Sequence, residues 1–363
     1  MLRAALITPL SGPLAGYGRA GEIALRLWAE WFTGGVELFA LDAHPDPVAA
    51  LRRAERERPH LLFGPYGSGP ARAVAAATTR LVWNHGGARV DPADHVITVP
   101  APAETYFQGA IAAVHAVDPA ARRAAVLHSG GGFARAVAAG AVAAAAALGL
   151  RAEPAALDVD AADGDLLLAV GSFAEERDAT RRLLPGGWRA AAFVAAGVEE
   201  VLAGLGALRE GLLGPAQWLA STPPSPDEGP TVGEFVSAFR RRAGSAPPYP
   251  AAQAFAAGVI AGRCLRDAGG GASGLGGHHD AALLAVARAL DCTTLFGRFR
   301  LDPATGRQVG HQVLTVQWQD GVRRAVWPPE RAQAPLRHPL TRRPVPGSRS
   351  RSPGRGRPSS PPP

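Results

Sequence analysis

Short apolar runs alternate along this chain with segments whose apolar residues recur every three or four positions, beginning at the second residue. Arg3–Thr8 reads as a buried strand, and Arg19–Phe32 as a helix carrying Ile23, Leu27 and Trp31 on one side. The spacing then predicts a strand at Val36–Asp42, a helix at Pro47–Arg58 with a charged outer face, and a strand at Leu61–Phe63. A helix at Pro70–Thr79, strands at Leu81–Trp83 and Val96–Val99, and a helix at Glu104–Val117 follow. Strands separated by helices in this way form a parallel sheet covered on both faces.

A second series of the same kind starts with a strand at Ala124–His128. It continues as helix Phe133–Leu148, strand Asp165–Val170, helix Glu175–Leu184, strand Ala191–Val194, helix Val198–Leu208 and strand Gln217–Ala220. Ser221–Pro230 is a proline-rich connection. Two helices follow, at Val232–Arg242 and Ala251–Asp267, then a glycine-rich loop at Gly269–Gly277 and a helix to about Asp291. Strands close the pattern at Gly297–Leu301, Val313–Trp318 and Val322–Trp327, with turn signals at Asp302-Pro303 and Asp320-Gly321. The fold class is therefore α/β, with two Rossmann-like parallel-sheet lobes. From Arg331 to Pro363 the chain is Pro, Arg, Ser and Gly without periodicity, the composition of a disordered tail.

The 363 residues suit two domains of about 150 residues plus that tail. The net charge of +7 invites a nucleic-acid reading, but its distribution argues otherwise. The tail holds eight Arg and no acid, and removing them leaves 30 basic against 31 acidic residues. The body has no electrostatic footprint for phosphate backbones, so no specific nucleic-acid partner is expected. Cys264 and Cys292 are too far apart for a metal motif, and sequence alone leaves open whether they pair. His278-His279, in a glycine-rich connection, reads as a loop or helix start. No apolar run spans a bilayer, and Leu2–Ile7 with Pro9 lacks the form of a signal peptide. Taken from its first residue the chain is expected in the cytoplasm; a start further upstream would place it outside, at the membrane.

Several strand ends carry candidate chemistry. Gly16-Tyr17-Gly18-Arg19-Ala20-Gly21 spells a dinucleotide fingerprint, with Asp42 about twenty residues on. In that fold the first glycine turns the chain directly off the strand, whereas here Pro9–Ala15 intervene. A second formal match, Gly269–Gly274, follows a helix and reads as a flexible loop. Phe63-Gly64-Pro65-Tyr66-Gly67-Ser68-Gly69 runs from a strand into a helix start, a ready anion or carboxylate site, against the plainer reading of Ser68 as a helix cap. It is no nucleophile elbow, since Tyr66 and Pro70 flank Ser68 where glycines are required. Asn84-His85-Gly86-Gly87-Ala88 follows the next strand and reads as a polar contact loop. His128–Phe133, Gly171-Ser172-Phe173 and Ala195-Ala196-Gly197 are similar loops in the second half, and none spells an acid–base pair.

Taken in order, these segments resemble the leucine/isoleucine/valine-binding protein family, the type I solute-binding proteins of ABC uptake systems. Leu10-Ser11-Gly12-Pro13 with Tyr17-Gly18 is similar to its opening motif, and Phe63–Gly69 to its strand–loop–helix with a ligand-binding serine. Pro248-Tyr249 with Ala254–Ala268, and Gly297–Leu301 through Asp320-Gly321, resemble its late helix and closing strands. The resemblance covers Leu2 to about Pro329. It implies two lobes joined by three crossovers and closing on a ligand, lobe one at 1–118 plus 222–308 and lobe two at 119–221 plus 309–330. It implies ligand contacts from Tyr17, Tyr66, Ser68, Asn84, His85, Gly86, Gly87 and Ala88, with Phe133, Phe173 and Gly197 from the second half. It implies binding without catalysis or cofactor, a small-molecule ligand, and an ABC permease as partner. Two departures bear on the ligand: Ala88 stands where amino-acid binders place a threonine, and the loop near Ala196 lacks an acid for an α-amino group, although Glu199 and Glu200 are close. An ammonium buried without a carboxylate is costly, so an amide or small carboxylate is the expected ligand. The segment Asp158–Asp163 is also too short for the helix expected there. The rival readings are a cytoplasmic ligand sensor of the same fold and a dinucleotide-dependent enzyme built on Gly16, Gly18, Gly21 and Asp42.

Overall fold

The computed structural model describes residues 1–269 and 279–340. In chain order the strands and helices of the first half are β1 (Leu2–Thr8), α1 (Ala15–Trp31), β2 (Val36–Asp42), α2 (Pro47–Arg56), β3 (Leu61–Phe63), α3 (Ser68–Ala77), β4 (Val82–Asn84), β5 (Val96–Thr98) and α4 (Gln108–Val117). Next come β6 (Arg123–His128), α5 (Gly132–Ala147), β7 (Arg151–Ala156), β8 (Leu166–Val170), α6 (Phe173–Leu183), β9 (Ala190–Phe193), α7 (Glu199–Leu202) and β10 (Leu213–Ala216). The last elements are α8 (Val232–Ala243), α9 (Tyr249–Asp267), α10 (His279–Ala289), β11 (Asp291–Thr293), β12 (Arg298–Arg300), β13 (Leu314–Gln319) and β14 (Val322–Trp327).

Two sheets build two lobes. The first is parallel, in the order β2-β1-β3-β4-β5, and the second runs β14-β13-β10-β9-β8-β6-β7, with β13 and β14 antiparallel. Central strands such as β3 and β8 are apolar and buried throughout, as strands covered on both faces must be. Helix starts follow local chemistry. Asp46 caps α2 ahead of Pro47, and Ser172 with Glu175 and Thr231 with Glu234 form capping boxes on α6 and α8. Helix α9 lies buried against α1 because Gly258 and Gly262 leave room for Trp28 and Phe32; a Cβ at Gly258 would stand 2.4 Å from the Trp28 ring. No described helix is long and apolar enough to cross a membrane.

The chain passes between the lobes three times, and the three segments are bonded together. Gln217 exchanges hydrogen bonds with the Ala101 backbone, Gln308 Nε2 donates to the Val99 carbonyl at 3.1 Å, and His311 Nε2 lies 2.9 Å from the Gln217 carbonyl oxygen.

The structure corrects several expectations. Helix α4, expected in lobe one, buries Ile111 and Val114 with Val126, Val137 and Leu168 of the second lobe. The first crossing therefore falls near Val99–Ala103 rather than at 118. Strand β10 lies four residues before the expected Gln217–Ala220, and β7 is a strand that the pattern did not announce. No helix connects β7 to β8, in keeping with the short Asp158–Asp163 segment. The tail does not begin at Arg331. Arg337 exchanges hydrogen bonds with the Gln317 side chain at 2.8 and 2.9 Å, His338 Nε2 meets Asp118 at 2.8 Å, and Leu340 N–H donates to Arg189 at 2.7 Å. The rest of the predicted tail, 341–363, and the glycine-rich loop at 270–278, with His278, lie outside the described residues. His279 opens α10, and Cys264 and Cys292 are buried free thiols whose pKa burial pushes up to about 12.

Candidate functional site

The C-terminal ends of the parallel strands in both sheets face one another across the gap between the lobes, the place where open α/β sheets hold ligands. On lobe one, two loops are zipped together. Tyr66 and Gly86 form a parallel bridge and Gly67 N–H donates to the Gly86 carbonyl at 3.0 Å. A Cβ at Gly86 would stand 2.5 Å from Tyr66 Cα, so the approach requires glycine there. Gly67, at φ 97°, turns the chain into α3, and Ser68 is not a helix cap: its hydroxyl accepts the Arg89 N–H at 3.1 Å.

Asn84 braces this loop from within. Its Oδ1 accepts from Gly86 and Gly87 N–H at 3.3 and 2.8 Å, while Nδ2 donates to the Gly87 carbonyl and to Thr98 Oγ1 at 2.8 and 3.2 Å. His85 is fully buried beneath Gly21 of α1, and burial lowers its pKa to about 4, which fixes a neutral ring. A Cβ on Gly87 would meet Ala71 at 2.5 Å. Asn84, His85 and Gly87 thus brace the loop from behind, and the cavity lining does not include them.

On lobe two, Phe173 opens α6 and meets Tyr17 of lobe one, ring centroids 6.1 Å apart. Tyr17 in turn packs on Tyr66 and Tyr249 at 5.0 and 6.4 Å. Behind Phe173, the buried Glu176 ties two strand-end loops together, accepting Gly171 N–H at 3.1 Å and Ala195 N–H at 2.6 Å. Burial pushes its pKa up to about 8 against the pull of those N–H groups. Gly197 lies so close to Pro215 that a Cβ would stand 1.7 Å from that carbonyl oxygen. Phe133, at the start of α5, meets Tyr106 edge-on at 5.5 Å.

Between these parts lies a cavity of about 610 Å³. Of the predicted contacts, Tyr66, Ser68, Gly86, Ala88, Phe133, Phe173 and Gly197 line it, and Tyr17 backs its aromatic wall. Sequence reasoning missed Tyr106, Arg177, Gln217, Trp218, Tyr249 and Gln253, which also line it. Arg177 alone carried a local signal: it sits four residues after Phe173, on the same side of α6. Among the described residues the lining offers hydroxyls, amides, aromatic faces and one guanidinium, and no carboxylate.

The dinucleotide geometry is absent. Gly16, Gly18 and Gly21 lie inside α1 rather than in a turn before it, where Gly18 packs on the Pro9 carbonyl and Gly21 on His85. Asp42 is committed to the Leu10, Ser11 and His44 N–H groups and to the Ser11 hydroxyl. Among the described residues no three metal-capable side chains come together.

A family model described as periplasmic binding protein matches residues 2–175. A leucine-binding protein from Thermotoga maritima superposes with a TM-score of 0.70 at 18% identity, covering 89% of this chain and 97% of its own. A branched-chain amino acid ABC transporter protein from Silicibacter pomeroyi, its assignment putative in name, superposes at 0.74 with 14% identity, covering 93% and 99%. A solute-binding protein of Rhodopseudomonas palustris in complex with benzoate reaches 0.67 at 17% identity, covering 90% and 95%. No curated protein matches the chain. Residues 2–175 thus match the periplasmic binding protein model, and the whole two-lobed body shares the fold of these solute-binding structures.

Proposed function

We propose that this protein is the substrate-binding component of an ABC uptake system of the branched-chain amino acid type, and that it clamps a small amide or carboxylate rather than a cationic amino acid. The observation that carries this reading is a cavity lined by both lobes in which no described residue is an acid. A solute held there touches Tyr66, Ser68, Gly86 and Ala88 on one jaw and Phe133, Phe173 and Gly197 on the other. It therefore stabilises the closed arrangement over an open one, and the closed form is what a permease would recognise. An α-ammonium in this place would lose its hydration and gain no counter-ion, whereas amides and carboxylates find donors. The benzoate complex among the fold neighbours supports the idea that this fold holds ligands without an ammonium.

The test is calorimetry together with small-angle scattering on the full chain. Leucine and valine are expected to bind weakly or not at all, and a small amide or carboxylate to bind while reducing the radius of gyration. Tight leucine or valine binding overturns the ligand assignment; a radius unchanged by every bound solute overturns the clamp.

A further inference from the structure

Among the described residues Arg177 is the one charged side chain in the cavity lining, and we infer that it selects an aromatic carboxylate whose far end donates a hydrogen bond to Gln253. This rests on the clamp reading above and names the solute class for the same cavity.

Arg177 is half-buried on α6 and, among the described residues, has no ion pair. Its acidic neighbours are committed elsewhere. Glu175 accepts the Ser172 N–H at 2.7 Å, Glu176 is bound by Gly171 and Ala195, and Asp178 pairs with Arg181 at 3.0 Å. A guanidinium with no counter-ion among the described residues, facing a cavity whose described lining holds no carboxylate, matches an anion supplied by the ligand, and its planar fork fits a carboxylate in two-point contact.

The walls specify the rest. Tyr66, Tyr106, Phe133, Phe173, Trp218 and Tyr249 surround the space, so flat apolar faces are presented from several directions. Stacked and edge-on contacts to a ligand ring are the interactions such walls favour over a branched aliphatic chain. On the opposite jaw, Gln253 of α9 lines the cavity while only 3% exposed, and its Oε1 has no hydrogen-bond partner. A buried acceptor of this kind calls for a donor. A ring bearing a carboxylate at one end and a hydroxyl or amino group at the other answers Arg177 on lobe two and Gln253 on lobe one together, and so draws the jaws shut.

The test is titration calorimetry of the full chain with 4-hydroxybenzoate, benzoate, 4-hydroxybenzamide and L-leucine, repeated on Arg177→Gln and Gln253→Leu. 4-Hydroxybenzoate is expected to bind most tightly. Arg177→Gln is expected to weaken it at least about tenfold, the scale of a charge-assisted pair, and to leave 4-hydroxybenzamide unchanged, which also reports an intact fold. Gln253→Leu should bring 4-hydroxybenzoate down to the level of benzoate. The inference is overturned if Arg177→Gln weakens amide and carboxylate alike, if it weakens neither, or if the aromatic acids fail to bind. Should leucine then bind and compact the protein, the clamp stands without this solute class; should no solute of a wider metabolite panel do so, the clamp falls as well.

Discussion

The side-chain amide of Gln217 and the backbone of Ala101 bond to one another in both directions: Ala101 N–H donates to Oε1 at 3.1 Å and Nε2 donates to the Ala101 carbonyl at 3.2 Å. The pair joins the first crossing between the lobes to the second, and Nε2 also reaches the Tyr106 hydroxyl at 2.9 Å. Gln217 lines the cavity as well, so one side chain belongs to both hinge and site. Gln217→Leu leaves the fully buried Ala101 N–H and carbonyl without partners, at a cost of about 1–3 kcal/mol for each group. Urea unfolding should show a loss of roughly that size, and a variant as stable as the parent would mean that the crossings do not depend on this amide.

Glu176 predicts a pH dependence with a definite sign. Burial holds its pKa at about 8 in the folded chain, with the Gly171 and Ala195 N–H groups opposing, against an ordinary value of 4.5. Between those pH values the folded state keeps a proton that the unfolded chain has released. The stability Glu176 contributes is therefore complete below about pH 4.5 and is lost as pH rises through 8. His85 and His311, each lowered to about 4 by burial, act in the opposite sense between their ordinary 6.5 and 4, so the comparison must be with Glu176→Gln. In that variant an NH2 group faces one of the two backbone N–H donors. The melting temperature of the parent should exceed that of the variant most near pH 5, with the gap narrowing by pH 8; a constant gap would refute the buried proton.

The fold was legible where burial is two-sided. Continuous apolar runs such as Leu166–Val170 have no place except inside a covered sheet, and they were read correctly. Arg151–Ala156 was missed because it is an edge strand, largely exposed, with Pro154 in it, and so carries no apolar period. The strand expected at Gln217–Ala220 was drawn there by Trp218 and Leu219, but Trp218 is buried in the core of lobe one, its Nε1 bonded to the Leu295 carbonyl at 2.9 Å, rather than by strand pairing. In the site, the glycine-rich strand ends were legible because close backbone approach requires them. The placement of Asn84 and His85 behind the loop was not legible, because a polar side chain beside a strand end serves its own loop as readily as a ligand. Tyr249 and Gln253 belong to a helix almost buried throughout, and only the packing of the lobes brings them to the cavity.

The glycines of the apparent dinucleotide fingerprint give a sharp contrast. A Cβ on Gly16 meets nothing within 4 Å, so Gly16→Ala should stabilise α1 by about 0.5–1 kcal/mol, the ordinary gain of alanine over glycine in a helix. A Cβ on Gly18 would stand 1.8 Å from the Pro9 carbonyl oxygen, and Gly18→Ala should cost at least about 2 kcal/mol because the backbone itself must move. Thermal melts of the two variants decide it. Equal effects would mean that α1 does not seat on its own preceding loop.

Residues 331–340 act as a strap on lobe two, and this separates two truncations. Arg337 satisfies the Gln317 side chain, the Pro335 carbonyl accepts from Gln319 at 2.9 Å, and Gln317 and Gln319 are themselves buried. His338 and Arg189 share the Asp118 carboxylate at 2.8 and 2.7 Å; although burial works to raise its pKa, the His338 hydrogen bond and the charges of Arg189 and His338 hold it below the ordinary 3.8. A depressed carboxylate lends stability above the acid range and loses it as pH falls through the carboxylate region. Cutting after Glu330 removes His338 and leaves two buried glutamines short of partners, a penalty of about 1–3 kcal/mol for each unsatisfied group. That variant should melt lower by roughly 5 °C or more at neutral pH, with the difference shrinking in acid. Cutting after Leu340 keeps every one of these bonds and removes six arginines, so it should melt with the full chain while losing any salt-sensitive attraction to polyanions. If both truncations melt together with the parent, the strap contributes nothing to lobe two, and the contacts of Arg337 and His338 are those of a segment merely lying on a surface.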